Sequence, residues 1–231
     1  MEIFSLTFIV GSVAASFLNV VAQALPQHQN WWSRRSACPH CHKTLTWKEL
    51  VPILSFCLQL GKCTFCRSKI SRVYLAVEII GGLLFTLPPI FLSLSHIDLI
   101  QAWLFFSLLL TVTLTDLYYQ LIPNKILMIF GAAFFFTDVN ILTGLIGFLF
   151  FYGASLMGKF LFKKETIGGG DIKLYGVIGL VLSYHALFTA ILFSSSIALI
   201  YVLMTKKNKP IPFAPFIALG ALMAYFMSMR G

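Results

Sequence analysis

Two aspartates stand where an apolar run meets a polar one: Asp116 near the end of LTVTLTDLYYQLIPNK, and Asp171 behind the glycines of IGGGDIKL. An ionisable group at the edge of a membrane segment is costly to keep, which makes it a functional candidate by default. The chain has only 8 acidic residues, so the rest can be assigned one by one. Glu2, Asp98 and Asp138 fall at ends or turns, and Glu49 and Glu165 fall in basic loops. Two carboxylates sharing one site cannot both ionise easily. One then acts as base toward water while the other, protonated, donates to a carbonyl oxygen, which is the chemistry of an aspartic protease. The two titrate as a pair, without separate assignment of the proton.

Gly168, Gly169 and Gly170 are expected to allow backbone angles and close approaches that a Cβ forbids, so that an extended substrate strand can lie beside Asp171. The plainer alternative makes the glycines a connector and Asp171 a helix N-cap. Glu78, in YLAVEIIGG, is read as a structural partner for a loop base such as Arg72, or as part of a second activity.

CPHC and CTFC place Cys38, Cys41, Cys63 and Cys66 in two C-x-x-C pairs, a spacing suited to a four-thiolate zinc site. Four protein ligands leave no open position, so such a metal is structural. It would supply folding energy to a loop with little core of its own. His40 and His42 are left out because the cysteines already complete the site, and Cys57, in PILSFCLQL, reads as a buried small hydrophobe.

The elements that must hold these groups are membrane helices. Hydrophobic residues make up 58% of the chain, which has 23 Phe and only 11% charged residues. A span needs roughly 20 apolar residues to cross a core of about 30 Å. Candidates lie at 3–25, 73–95, 99–115, 125–137, 139–162, 174–184, 186–204 and 211–229. The reading is an all-α polytopic membrane protein with about eight transmembrane helices and a cytoplasmic zinc-binding loop. It divides into a first helix (1–26), the cysteine-rich loop (27–72) and a transmembrane peptidase domain (73–231). The first run opens with Glu2 and has no basic leader, which argues against a cleaved signal peptide.

The 17 basic residues report orientation rather than nucleic-acid binding. Arg34, Arg35, Lys43, Lys48, Lys62, Arg67, Lys69 and Arg72 crowd the first loop. Lys125 follows the third run, Lys159, Lys163, Lys164 and Lys173 surround the fifth-to-sixth junction, and Lys206, Lys207 and Lys209 follow the seventh; Arg230 alone lies opposite. The basic loops are therefore expected in the cytoplasm and both termini outside. Two crossings separate Asp116 from Asp171, which returns both to the cytoplasmic face.

With these residues in view, the chain resembles the type IV prepilin peptidases along nearly its whole length. ASFLNVVAQALP is similar to the family's opening motif, and RSACPHCHKTLTWKELVPILSF with GKCTFCRSKISRVYLAVE resembles its cysteine loop. DLYYQLIPN and GGGDIKL resemble its two aspartate motifs, and IPFAPFIALG its closing one. The resemblance implies a GxGD-type membrane aspartic protease with Asp116 and Asp171 catalytic. It would cut type IV prepilins or pseudopilins after the glycine that ends a short basic leader, in the bacterial cytoplasmic membrane. It also implies, for many members, methylation of the new amine with S-adenosylmethionine. Ala24, Gln59, Val73 and Leu75 depart from the family pattern, all in the N-terminal part. Both aspartate motifs are intact, so the resemblance carries peptidase activity further than methyl transfer. No glycine-rich nucleotide fold argues independently for a methyl donor.

Two rival functions use the same residues. An ion-coupled transporter would employ the aspartates near the bilayer midplane, and a zinc-bearing assembly scaffold would need the cysteines but not the aspartates. The partners expected are pilin substrates and the lipid bilayer, with no nucleic acid bound directly; the oligomeric state is not legible.

Overall fold

The computed structural model describes residues 2–27, 35–91, 95–163, 167–205 and 211–228. Arg34, Lys164, Glu165, Lys206, Lys207, Lys209 and Arg230, which entered the charge reading, lie outside them. The chain divides into two compact units, Met1–Phe91 and Leu92–Gly231.

The first unit is a helix pair with the cysteine loop between its members. Helix α1 runs Glu2–Ala24, a 3-10 turn covers Trp47–Glu49, α2 is the short Leu54–Leu58, and α3 runs Arg72–Phe91. Small residues let α1 and α3 approach closely, as membrane helices do when no hydrophobic effect drives them together. A Cβ on Gly11 would fall 2.5 Å from the Gly81 carbonyl oxygen.

The second unit contains α4 (His96–Tyr119), α5 (Asn124–Phe134), α6 (Ile141–Phe162), α7 (Gly169–Gly179), α8 (Tyr184–Thr205) and α9 (Ala214–Ser228). Local sequence sets their ends. Ser95 caps α4, its hydroxyl accepting from the Asp98 N–H while the Asp98 carboxylate accepts in return, a reciprocal capping box that explains Asp98. Gln120 closes α4 in the left-handed region at φ 51°, and the following LIPN segment turns the chain into α5. The Asn140 side chain accepts from the Thr143 N–H to start α6.

Helix α4 is the centre of this unit. Of its span 61% is buried, against 17% for α6 and for α8, so the latter two present most of their surface to lipid. Phe105 and Phe106 of α4 pack on Tyr225 of α9 with ring centroids 5.4 Å apart in both pairs. On the other side of the unit Phe151 of α6 stacks on Tyr175 of α7 at 3.9 Å, and the Tyr175 hydroxyl shares a 2.8 Å hydrogen bond with Ser194 of α8.

All eight expected apolar runs are helices, but they differ in length. Among the described residues five helices, α1, α3, α4, α6 and α8, are long and apolar enough to cross a membrane. Helices α5 and α7 have 11 residues each and α9 has 15. Eleven residues rise about 16 Å, roughly half of the hydrocarbon core. The chain is thus a multi-pass helical membrane protein with five candidate full-length spans among the described residues, and helix length does not confirm the count of eight. The start of α6 is level with the end of α7: the Asn140 N–H before α6 donates to the Leu180 carbonyl after α7, at 2.8 Å.

Candidate active site

Asp116 lies in the last turn of α4 and is 7% exposed. A buried carboxylate requires donors, and the first comes from far along the chain. The Ala214 N–H donates to Asp116 Oδ2 at 2.8 Å, with the Phe213 N–H also directed at the carboxylate. These are the free amides at the start of α9, where a helix leaves its first N–H groups without internal partners. Pro212 and Pro215 flank them, and proline in a first helical turn fixes the backbone without losing a needed donor. Sequence reasoning noted IPFAPFIALG but missed this role. The signal was present as a proline-bracketed helix start, although nothing local says which carboxylate it meets.

Asp171 is the third residue of α7, whose N-cap is Gly168. It is therefore in the first turn and not the cap, at the end of the helix dipole that favours negative charge. Asp116 lies near enough for its charge to bear on Asp171. The turn after α4 sets their common level. Ile122 packs on Gly170, and Lys173 of α7 donates to the Asn124 side chain at the start of α5, at 3.0 Å.

The three glycines have separate reasons. Gly168 has φ −64°, an ordinary value, and no described glycine of α7 or its cap lies in the left-handed region. Freedom of backbone angle is thus not what these positions use. A Cβ on Gly170 would come within 3.0 Å of the Ile122 Cβ, one on Gly168 within 3.1 Å of Asp171 Oδ2, and one on Gly169 would meet open space. Gly170→Ala should accordingly push α7 from the Ile122 turn and cost about 1–3 kcal/mol, as overpacking does, read as a lower unfolding temperature. Because the contact is with the Ile122 Cβ, which alanine would keep, the single variant is the test: an unchanged temperature would refute the contact.

The cysteine loop forms a second centre within the first unit. The Sγ atoms of Cys38, Cys41, Cys63 and Cys66 all lie within 4.8 Å of one another, and Cys38 Sγ is 3.8 Å from Cys66 Sγ. Four sulfurs at about 2.3 Å from one metal stand about 3.8 Å apart. Two copies of one turn build this arrangement. The His42 N–H donates to the Cys38 carbonyl and the Arg67 N–H to the Cys63 carbonyl, with φ of 56° at His42 and 59° at Arg67. An isolated bridge flanks each copy, Ala37 with Thr44 and Lys62 with Lys69.

Electrostatics points the same way. The backbone N–H groups of Cys41 and His40 hold the Cys38 thiol down to about 6. Cys41 is pushed up to about 11 although the Lys43 backbone favours its thiolate, because burial and the neighbouring thiols oppose a further negative charge. A dication among them reverses that repulsion. The four cysteines are thus placed to bind a metal ion. Cys57 is not part of this group and, contrary to expectation, is exposed, because α2 turns it away from the loop.

Glu78 sits half-buried in α3 and has partners other than Arg72. Its Oε1 accepts from the Ser16 hydroxyl of α1 at 2.9 Å, and its Oε2 from the Ile53 N–H at 2.8 Å. It ties the loop to the helix pair, a role the sequence alone does not suggest.

Residues 9–91 match the bacterial peptidase A24 N-terminal domain and residues 103–203 match the type IV leader peptidase family. A prepilin leader peptidase/N-methyltransferase of Bacillus subtilis is 40% identical, over 96% of this chain and 93% of the relative. The chain belongs to the type IV leader peptidase family. A family member of the same description from Vibrio cholerae is 30% identical, over 94% of each chain. A type 4 prepilin-like proteins leader peptide-processing enzyme of Escherichia coli is 28% identical, over 84% of this chain and 76% of the relative. No solved structure matches the chain.

Proposed function

We propose that the protein is a membrane aspartic endopeptidase that removes the leader from type IV prepilins or pseudopilins after a glycine, with Asp116 and Asp171 as its catalytic pair. The observation that carries this reading is the Ala214 N–H held on Asp116 Oδ2 at 2.8 Å, with Asp116 near enough for its charge to bear on Asp171. The ionised member takes a proton from water as its oxygen attacks the scissile carbonyl carbon. The protonated member donates to the carbonyl oxygen. Collapse of the tetrahedral species breaks the C–N bond: the proton taken from water passes to the leaving amine, and the proton on the former carbonyl oxygen returns to the donor carboxylate as the C=O bond re-forms. The open side of Gly169 gives an extended substrate strand room beside Asp171.

The distribution of basic residues supports an active site at the cytoplasmic face of the inner membrane, with both termini outside. A pilin helix can stay in the bilayer while its leader protrudes to meet the aspartates, and a glycine at the junction eases local unwinding. The test is cleavage of a purified prepilin with a Gly–Phe junction in lipid, followed by mass analysis. Product ending at the glycine supports the assignment; intact substrate with folded enzyme opposes it.

The metal we assign to the four cysteines is zinc, held structurally by Cys38, Cys41, Cys63 and Cys66. Purified protein should contain about one zinc per chain, and Cys63→Ala should lose nearly all of it, since three thiolates form an incomplete structural site. Elemental analysis decides this, and full zinc retention in the variant would contradict it.

The relatives named N-methyltransferase favour a second reading, methyl transfer to the new N-terminus, for which S-adenosylmethionine would be the donor. The only β pairing described in the first unit is two isolated bridges, which offer no nucleotide-binding strand and turn. We derive no step through that donor. An added methyl mass on the product would establish the reaction.

A further inference from the structure

The ten residues Val51–Leu60 lie in a basic, polar loop, yet none of their exposed side chains is polar or charged. The exposed ones are Leu54, Cys57, Leu58 and Leu60, with Leu58 and Leu60 each 84% exposed. Leu54, Cys57 and Leu58 stand at i, i+3 and i+4 and so share one face of α2. Polar exposure follows the segment at Lys62, Thr64, Arg67 and Lys69, whereas Lys48 precedes it together with exposed Trp47 and Leu50. Both aromatic rings exposed there are covered by ammonium groups: Lys43 lies 3.4 Å above Phe65, and Lys48 lies 5.5 Å from the ring of Trp47.

Hydrogen bonds fix the depth of this apolar face. Ile53 donates its N–H to Glu78, and Glu78 is six residues inside α3, about 9 Å from its start at 1.5 Å per residue. The same carboxylate accepts from Ser16, eight residues before the end of α1, about 12 Å along it. Both helices are apolar spans, at Ile3–Ala24 and Arg72–Ile90. The start of α2 is thus held against the body of the helix pair rather than beyond its end.

The backbone there is strained. Ile53 has φ 63° and ψ −54°, with the Leu54 N–H donating to the Pro52 carbonyl, a γ-turn that β-branched residues rarely adopt. Gly61, at φ 66°, ends the segment, its N–H donating to the Phe56 carbonyl and its own carbonyl accepting from Ile70 beside the cysteine cluster.

We infer that Val51–Leu60 is an interfacial segment seated in the headgroup–acyl boundary of the bilayer, with Leu54, Leu58 and Leu60 facing phospholipid chains. Membrane already surrounds the two helices to which Ile53 is tied, so lipid continues onto this face. Lys48 and Lys62 flank the segment where anionic headgroups lie. Burial of an amphipathic face to this depth is the usual mode of a segment that lies on a membrane rather than crossing it. The strained turn then has a purpose: it brings α2 back beside the helix pair and anchors the metal loop at the membrane surface.

The test places p-benzoyl-phenylalanine singly at 54, 58, 64 or 149 in the full-length, metal-loaded protein, in phosphatidylcholine–phosphatidylglycerol nanodiscs. After irradiation, intact mass reads phospholipid adducts. Position 149 on α6, where Leu149 is 61% exposed on an apolar span, is the lipid-facing reference, and position 64 the polar-loop reference. Adduct yields at 54 and 58 should come within about threefold of position 149 and exceed position 64 by about tenfold, the contrast expected between an inserted face and water. Yields at 54 and 58 no higher than at 64, with 149 labelled, would overturn the inference by placing the segment in water. Cross-linking of 54 or 58 to a second copy of the chain would overturn it by assigning the face to protein.

Discussion

Asp116→Asn and Asp171→Asn should each reduce prepilin cleavage by at least about 10²–10⁴-fold, the range that general acid–base groups contribute. Asparagine preserves shape, and at position 116 its side-chain oxygen can still accept the Ala214 N–H, so folding should survive. What is lost is the ability to take a proton from water or give one to the carbonyl. The two changes should not be additive, because either one disables the pair. The wild type should give a bell-shaped pH profile. At low pH both carboxyls are protonated and the base is lost; at high pH both are ionised and the acid is lost. Asp98→Asn is the matched control, since Asp98 serves the α4 cap and sits in the first turn of that helix. Mass analysis of the product checks all three variants. Cleavage that persists in both Asp116→Asn and Asp171→Asn would end the dyad assignment, and loss in Asp98→Asn alone would move the chemistry to the opposite end of α4.

Ala214→Pro should lower kcat by about 10–100-fold, equivalent to the 1.5–3 kcal/mol of a hydrogen bond to a charged group. Ala214 is the first residue of α9, the helical position where proline is best tolerated. The change removes the N–H that meets Asp116 and puts a ring carbon in its place, 2.8 Å being too close for carbon against oxygen. The carboxylate must turn away, and the pair loses its alignment. Ala214→Gly retains the N–H and should keep most of the activity. A profile in which the proline variant alone fails, with unfolding temperature and KM nearly unchanged, identifies the amide as the positioning group. Equal loss in both variants would instead point to packing at α9, where Ala214 is fully buried.

The transporter and scaffold readings share the aspartates and cysteines but not this arrangement. A transport site at mid-bilayer would need both carboxylates there, whereas Asp116 stands in the last turn of the full-length span α4. A scaffold has no use for an amide aimed at Asp116.

Much of the molecule is legible in its sequence because the governing forces are local. Apolar runs form helices since every backbone group in lipid must find an internal partner. The Cys38–Cys41 and Cys63–Cys66 pairs announce a metal cluster because each C-x-x-C turn presents two sulfurs on one side. The positions of Asp116 and Asp171 beside apolar runs mark them because charge there is costly. Other features required the tertiary structure. The runs 125–137 and 174–184 are already short in the sequence, but only the structure sets α5 and α7 at 11 residues each, since hydropathy measures polarity and not how many residues remain helical. Glu78 looked like a partner for nearby Arg72, but meets Ser16, 62 positions away, and Ile53. Cys57 looked buried, but only the strained turn at Ile53 decides which way α2 faces. The Ala214 N–H reaches Asp116 across 98 positions of sequence. A helix start offers its free amides to any acceptor that arrives, and only the packing of α9 against α4 brings that carboxylate to them.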